Sequence, residues 1–111
     1  LYYYIYNMYD DRKKQFEKKF ELDEEKKFKV TALRNKMLGK WAGELLGVGE
    51  EDIDKYINDV VLSDFEKPGE EDVVEKIKND FDKESINLSK EEIRKKIGHF
   101  FDLALKELDE K

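Results

Sequence analysis

The sequence predicts an all-α fold, a small four-helix bundle preceded by a long, charged N-terminal helical arm. Three observations lead there. Apolar residues after position 29 recur at helical spacing, a single proline and six glycines leave long helices little interrupted, and no segment shows the strict alternation of a half-buried strand. At 111 residues the chain is one domain with room for a modest core. Charged residues make up 45% and apolar ones 39%, which fits a folded body with a strongly solvated outer face.

The organisation along the chain reads in three parts. Leu1-Tyr-Tyr-Tyr-Ile-Tyr-Asn7 has no basic lead and no small-residue cleavage site. It is read as a non-functional extension upstream of a start at Met8, with an interfacial tyrosine anchor as the alternative. Residues 8–29 form the arm and residues 30–111 the bundle. Positions 10–29 hold fifteen charged residues out of twenty. Phe16 and Phe20, four apart, share one face of a helix there, and Asp10–Lys14, Asp23–Lys27 and Glu25–Lys29 are favourable pairs. Such a segment has helical propensity but little of its own to bury, so it firms up on a partner or continues the first helix as an inert, solvated extension.

From Val30 the apolar pattern thickens. Leu33, Met37, Trp41 and Leu45 repeat every four residues, with Val30, Leu38, Ala42 and Leu46 alongside, a broad core-facing stripe. Gly47 is placed to end this helix and Gly49 to cap the next, with Val48 and Ile53 as a hydrophobic staple and Glu50, Glu51 and Asp52 complementing the helix dipole. Ile53, Tyr56, Ile57, Val60, Val61 and Phe65 make the second helix amphipathic, and Pro68-Gly69 turns the chain. Val73, Val74, Ile77 and Phe81 mark the third helix, and a polar connection runs from Asp82 to Leu88. Ser89-Lys-Glu-Glu92 is a capping box with Leu88 and Ile93 as its staple. The last helix carries Ile93, Ile97, Phe100, Phe101, Ala104 and Leu108.

Charge and motif content exclude several functions. The net charge of −6 argues against nucleic acid as a partner. It is unevenly spread, at +3 over residues 8–46 and −9 over residues 47–111. The absence of cysteine removes disulfides, thiolate metal sites and cysteine nucleophiles. No apolar run reaches the ~20 residues that span a bilayer. Gly47-Val48-Gly49 lacks the third glycine and preceding strand of a dinucleotide site, and Gly39-Lys40 lacks the rest of a P-loop. Asp52 and Asp54 begin like a calcium loop, but Tyr56 stands where a ligand is needed. His99 is a boundary histidine before it is a proton shuttle. Trp41 reads as core, with stacking on a bound base as the alternative. No carboxylate pair sits in an apolar setting, so no catalytic residues, metal or cofactor are expected and the chain is not read as an enzyme.

Three blocks carry a resemblance. They are Asp10-Asp-Arg-Lys-Lys-Gln-Phe-Glu-Lys-Lys-Phe20 with Asp23-Glu-Glu, then Phe28-Lys-x-Thr-Ala-x-Arg-Asn-Lys-Met-Leu-Gly-Lys-Trp-Ala-Gly-Glu-x-Leu-Gly47, and Asp64-Phe-Glu-Lys-Pro-Gly-Glu-Glu-Asp-Val73. Together they resemble the alphaproteobacterial F1-ATPase inhibitor zeta subunits, over the chain from about Met8 to its end. Leu1–Asn7 is extra to that pattern, and Met8-Tyr9-Asp10 is a shorter lead-in than usual.

The resemblance implies a regulatory subunit of F1FO ATP synthase. Its arm, about Met8 to Lys27 here, would enter a catalytic α/β interface of F1 and block rotation in the hydrolytic direction. Asp10, Asp11, Arg12, Phe16 and Phe20 would then be the inhibitory, partner-binding residues. The partners implied are the F1 α and β subunits, with γ a further candidate, and the location is cytoplasmic, peripheral to the inner membrane through F1. The free chain is taken as a monomer. Some members of that family bind adenine nucleotide, so weak ATP or ADP binding by an adaptor-like or sensor-like bundle is the alternative function, at residues the sequence does not place. A ~20-residue helix is ~30 Å long, enough to enter a cleft.

Overall fold

The computed structural model describes residues 23–64 and 69–109, and these form four helices: α1 (Glu24–Leu46), α2 (Ile53–Ser63), α3 (Glu71–Lys83) and α4 (Lys90–Asp109). The described residues contain no strand. The bundle expected from the apolar stripes is present; the arm as far as residue 22 lies outside the described residues.

α1 begins earlier than the stripe that announces it. The Asp23 carboxylate accepts the Lys26 N–H at 2.7 Å, an N-cap, and Glu24 and Glu25 sit in the first turn, where negative charge suits the helix dipole. Residues 24–29, on the arm side of the boundary drawn from sequence, therefore share one unbroken helix with the body. The core side of α1 is also turned from the every-fourth stripe. Val30, Asn35, Leu38, Gly39, Ala42 and Gly43 are buried, whereas Leu45 is 47% exposed. A four-residue step overshoots a 3.6-residue turn by about 40°, so three steps carry Leu45 about 120° from Leu33. Gly47 ends the helix in the left-handed region, φ 77°, with its N–H on Glu44 O at 3.1 Å and the Val48 N–H on Gly43 O at 2.9 Å, a Schellman motif.

The entry to α2 departs from expectation. Gly49 does not cap it; the Asp52 N–H closes a turn onto Gly49 O at 2.9 Å, and helix starts only at Ile53. Asp52 stands at the cap position without a side-chain bond, and Ile53, as first helical residue, cannot serve as the fourth-position half of a staple. Glu50, Glu51 and Asp52 have nothing apolar to bury, so helix forms only where Ile53 reaches α1. α3 buries Val73, Val74, Ile77 and Phe81, as its periodicity requires. It closes with a second Schellman motif: Ser85 takes φ 61°, its N–H reaches Asp82 O at 3.2 Å, and the Ile86 N–H reaches Phe81 O at 2.8 Å. That motif turns Ile86 onto the core, so the connection read as polar carries an apolar anchor. The capping box at α4 is formed in both directions, Ser89 N–H to Glu92 Oε1 at 3.0 Å and Glu92 N–H to Ser89 Oγ at 3.1 Å. α4 also buries Leu105, which the stripe through Ala104 and Leu108 did not include.

The apolar interior falls into two parts. The main cluster joins all four helices through Leu38, Ala42, Val60, Val73, Val74, Ile77, Phe81, Ile93 and Ile97. Trp41 closes one side of it, edge-on to Phe81 with centroids 5.7 Å apart. The second cluster is Val30, Ala104 and Leu105, with Leu33, Phe101 and Leu108 packed on it, and among the described residues it draws on α1 and α4. The first ten residues of α1 and the last two turns of α4 thus form a two-helix stalk on the four-helix body.

Candidate functional site

Asp10, Asp11, Arg12, Phe16 and Phe20 lie outside the described residues. What the described residues supply is the base on which that segment stands. Its last member, Asp23, is locked by the cap bond described above and by the Lys27 N–H on its carbonyl at 2.9 Å. Lys26 is ion-paired with Asp109 at the far end of α4, which ties the stalk's tip across two helices. Lys29 and Glu25 pair at 3.2 Å along α1, both well exposed, so this pair contributes little. Phe28, the apolar member of the arm nearest the body, is 59% exposed rather than core.

Below the stalk is a polar node that sequence reading missed. Asn35, 1% exposed, accepts Arg34 Nε at 3.1 Å and donates through Nδ2 to Asp64 Oδ2 at 3.0 Å. The Arg34 guanidinium lies 3.7 Å from the same carboxylate oxygen. Burial lowers the Arg34 pKa from its ordinary value, and the nearby charges of Asp64 and Glu70 pull it back. The node fastens α1, where stalk meets body, to the end of α2. A signal for it was present in the sequence: Asn35 stands three and seven residues before Leu38 and Ala42, on the core face, where an amide needs a partner.

Within the block Phe28 to Gly47, the part from Arg34 on is explained by packing. Gly39 and Gly43 sit where α1 and α2 cross. A Cβ on Gly39 would lie 3.0 Å from Ile57 Cα, and one on Gly43 would overlap Ile53 Cδ1. Leu38, Ala42 and Trp41 fill the core around them. The buried residues of this block build the mounting.

At the opposite end of the body from the stalk, an open cleft is lined by Leu46 to Gly49, Asp52, Lys55, Tyr56, Asp59, Asp80, Lys83 and Glu84. Tyr56 donates to Asp80 Oδ2 at 2.8 Å, and Lys76 Nζ holds the same oxygen at 2.9 Å. Burial first, then the bond to Asp80 and its charge, raise the Tyr56 pKa above the ordinary phenol range. Four carboxylates against two lysines give the lining a negative balance that disfavours anions. Among the described residues no cluster of three His, Asp or Glu could hold a metal ion. His99 is exposed, its ring 5.4 Å from Phe100, and Trp41 is half-buried between Phe81 and Phe100.

Among the described residues no helix is long and apolar enough to cross a membrane. A family model described as ATPase inhibitor subunit zeta matches residues 6–107. No curated protein matches the chain.

Proposed function

This chain belongs to the family of ATPase inhibitor zeta subunits, and on that premise we propose that it is a non-catalytic regulatory subunit of an F1FO ATP synthase that holds back ATP hydrolysis. The observation that carries the reading is the extent of the match, which takes in the charged N-terminal segment together with the bundle as far as Glu107. In this reading the segment is the working part and the bundle its mounting. Residues 8–22 enter a catalytic α/β interface of F1 as a helix, with γ within reach. Phe16 and Phe20 supply apolar anchors, and Asp10, Asp11 and Arg12 the charged contacts of the tip. Asp23 to Lys29 form the root, and the α1 helix conveys their position to the body. The site of action places the subunit on the cytoplasmic side, peripheral to the membrane through F1.

The geometry supports this division of labour at one point. α1 starts at a real cap, so the segment before it joins a rigid helix of 23 residues, about 34 Å long. A steric obstacle needs such a base.

Add-back of the full chain to F1 lacking it lowers ATP hydrolysis, and removal of residues 1–22, which spares the Asp23 cap, abolishes inhibition while the bundle still unfolds cooperatively. Equal inhibition by the shortened form would refute the role of the segment. The double change Phe16→Ala, Phe20→Ala weakens inhibition and leaves bundle stability within a few tenths of a kcal/mol. Weak adenine-nucleotide binding is a separate proposal, tested by titrating ATP or ADP against Trp41 fluorescence; no change at saturating nucleotide removes it.

A further inference from the structure

The buried polar side chains among the described residues are Asn35, 1% exposed, and Ser63, 9% exposed. Ser63 satisfies its hydroxyl one turn back on its own helix, donating to Val60 O at 2.6 Å. Asn35 instead reaches another helix. It stands on α1 between Val30 of the stalk cluster and Leu38 of the main cluster, a core position that an apolar residue would fill without needing any partner. A bundle specified by apolar stripes and caps does not need an amide there for stability, since buried polar networks are often no better than apolar residues of similar volume. Their best-attested use is to fix register.

The node is built for that use. Asn35 Oδ1 accepts Arg34 Nε at 3.1 Å and Nη2 at 3.0 Å, and its Nδ2 donates to Asp64 Oδ2 at 3.0 Å. A guanidinium only donates and a carboxylate only accepts. The amide therefore fits one way round; turned over, it would set donors against donors and acceptor against acceptor. Asp64 is the residue that ends α2, so the bond holds one rotation of α1 against one end of α2. The apolar contacts around it are less particular. The crossing at Gly39 and Gly43 sets how close the two helices lie, but packing of apolar ridges tolerates crossing angles that scatter by about 15–20°. Asn35 is twelve residues from Asp23, about 18 Å along α1, so a tilt of about 15° moves Asp23 by about 5 Å. A binding constellation needs placement within about 0.5 Å and 10–20°.

We propose that Arg34, Asn35 and Asp64 are positioning residues for inhibition: the node fixes the direction in which α1 presents the segment before Asp23 to F1, and serves that direction rather than the stability of the bundle. The proposal rests on the regulatory reading above and adds the residues that aim the working part. None of the three has to touch F1.

The test compares the native chain with Arg34→Met, Asn35→Leu, Asp64→Leu, which removes the three polar groups together and so leaves no charge or amide buried alone. Both full-length chains are assayed for thermal unfolding and for inhibition of ATP hydrolysis by F1 lacking the subunit. Because the chain has no cysteine, Glu24→Cys and Asn58→Cys, at exposed positions on α1 and α2, add a pair of spin labels whose separation reports the direction of α1. The expected result for the triple variant is an unfolding midpoint equal to the native one or higher, a shifted or broadened label distance, and inhibition weakened about tenfold or more. Native-strength inhibition by the triple variant overturns the proposal and leaves the regulatory reading standing. So does a triple variant that unfolds at a much lower temperature or without cooperativity, since the node would then serve the fold. Weakened inhibition with an unchanged label distance overturns it as well, because the residues would then act by contact with F1. A native chain that does not inhibit at all overturns both readings.

Discussion

The same substitution, glycine to alanine, should act with opposite sign at two positions in this bundle. Gly98 lies on the exposed side of α4, and a Cβ there meets nothing within 4 Å. Gly98→Ala therefore gains the difference in helix propensity, about 0.8–1 kcal/mol, with no packing cost. Gly39 offers the same propensity gain, but its Cβ would stand 3.0 Å from Ile57 Cα and 3.4 Å from Val60 Cβ. The first of these is backbone and cannot rotate away, so α2 must withdraw from α1 along the crossing that also buries Val60 and Leu38. Overpacking of that kind costs about 1–3 kcal/mol, leaving Gly39→Ala destabilised by about 1 kcal/mol net. The gap between the two variants, about 2 kcal/mol, corresponds to roughly 8–16 °C in midpoint for a domain near this size. Chemical denaturation followed by Trp41 fluorescence and far-ultraviolet dichroism measures both. If Gly39→Ala stabilises as much as Gly98→Ala, the two helices do not cross closely at residue 39 and the packing account of the Arg34–Gly47 block fails.

Three further outcomes follow from the geometry. Tyr56→Phe costs about 1 kcal/mol at neutral pH by removing the bond to Asp80. Because the folded phenol pKa is raised, that stabilisation is complete below the unfolded value near 10 and fades as pH climbs towards the folded one; the gap between variant and wild type should narrow in alkali, and a constant gap would contradict it. The Glu92 carboxyl is held below its ordinary pKa by the Ser89 N–H and then the Ser89 hydroxyl, so its contribution is present above pH ~4.3 and lost as pH falls through the folded value. Resonance titration should find that pKa low in wild type and higher in Ser89→Ala. Leu105→Ala, which empties a side chain only 6% exposed, costs about 2 kcal/mol or more. Amide exchange should speed most over residues 24–33 and the last turns of α4, and a uniform rise across the body would show that the stalk is not a separate unit.

The helices were legible in the sequence because apolar periodicity and capping chemistry agree with each other. Ser89 and Glu92 announce α4 by themselves, and Val73, Val74, Ile77 and Phe81 lie inside just as their spacing demands. Errors came where the sequence signal was local and the deciding force was not. Ser85 gave no hint of a left-handed residue, since a serine there is tolerated only because Ile86 gains a place in the core. Gly49 resembled a cap, but helix waited for an apolar contact that begins at Ile53. Leu45 continued a repeat whose angular drift had already turned it away. The Arg34–Asn35–Asp64 node joins residues 29 positions apart, a pairing that one sequence does not display. The candidate partner residues came from family likeness and from the two phenylalanines four apart.

The split between a deep core under the body and a thin one under the stalk has a mechanical consequence. Any push or twist delivered at Asp23 travels down a single rod, and over its first ten residues the buried apolar cluster draws, among the described residues, on α4 alone. The lower part is gripped on several sides at once and keyed by the Gly39 crossing. Load at the tip therefore concentrates at the shoulder near Arg34, where bracing changes from one helix to several. The buried polar node sits at that shoulder, like a rivet set where the bending moment is greatest.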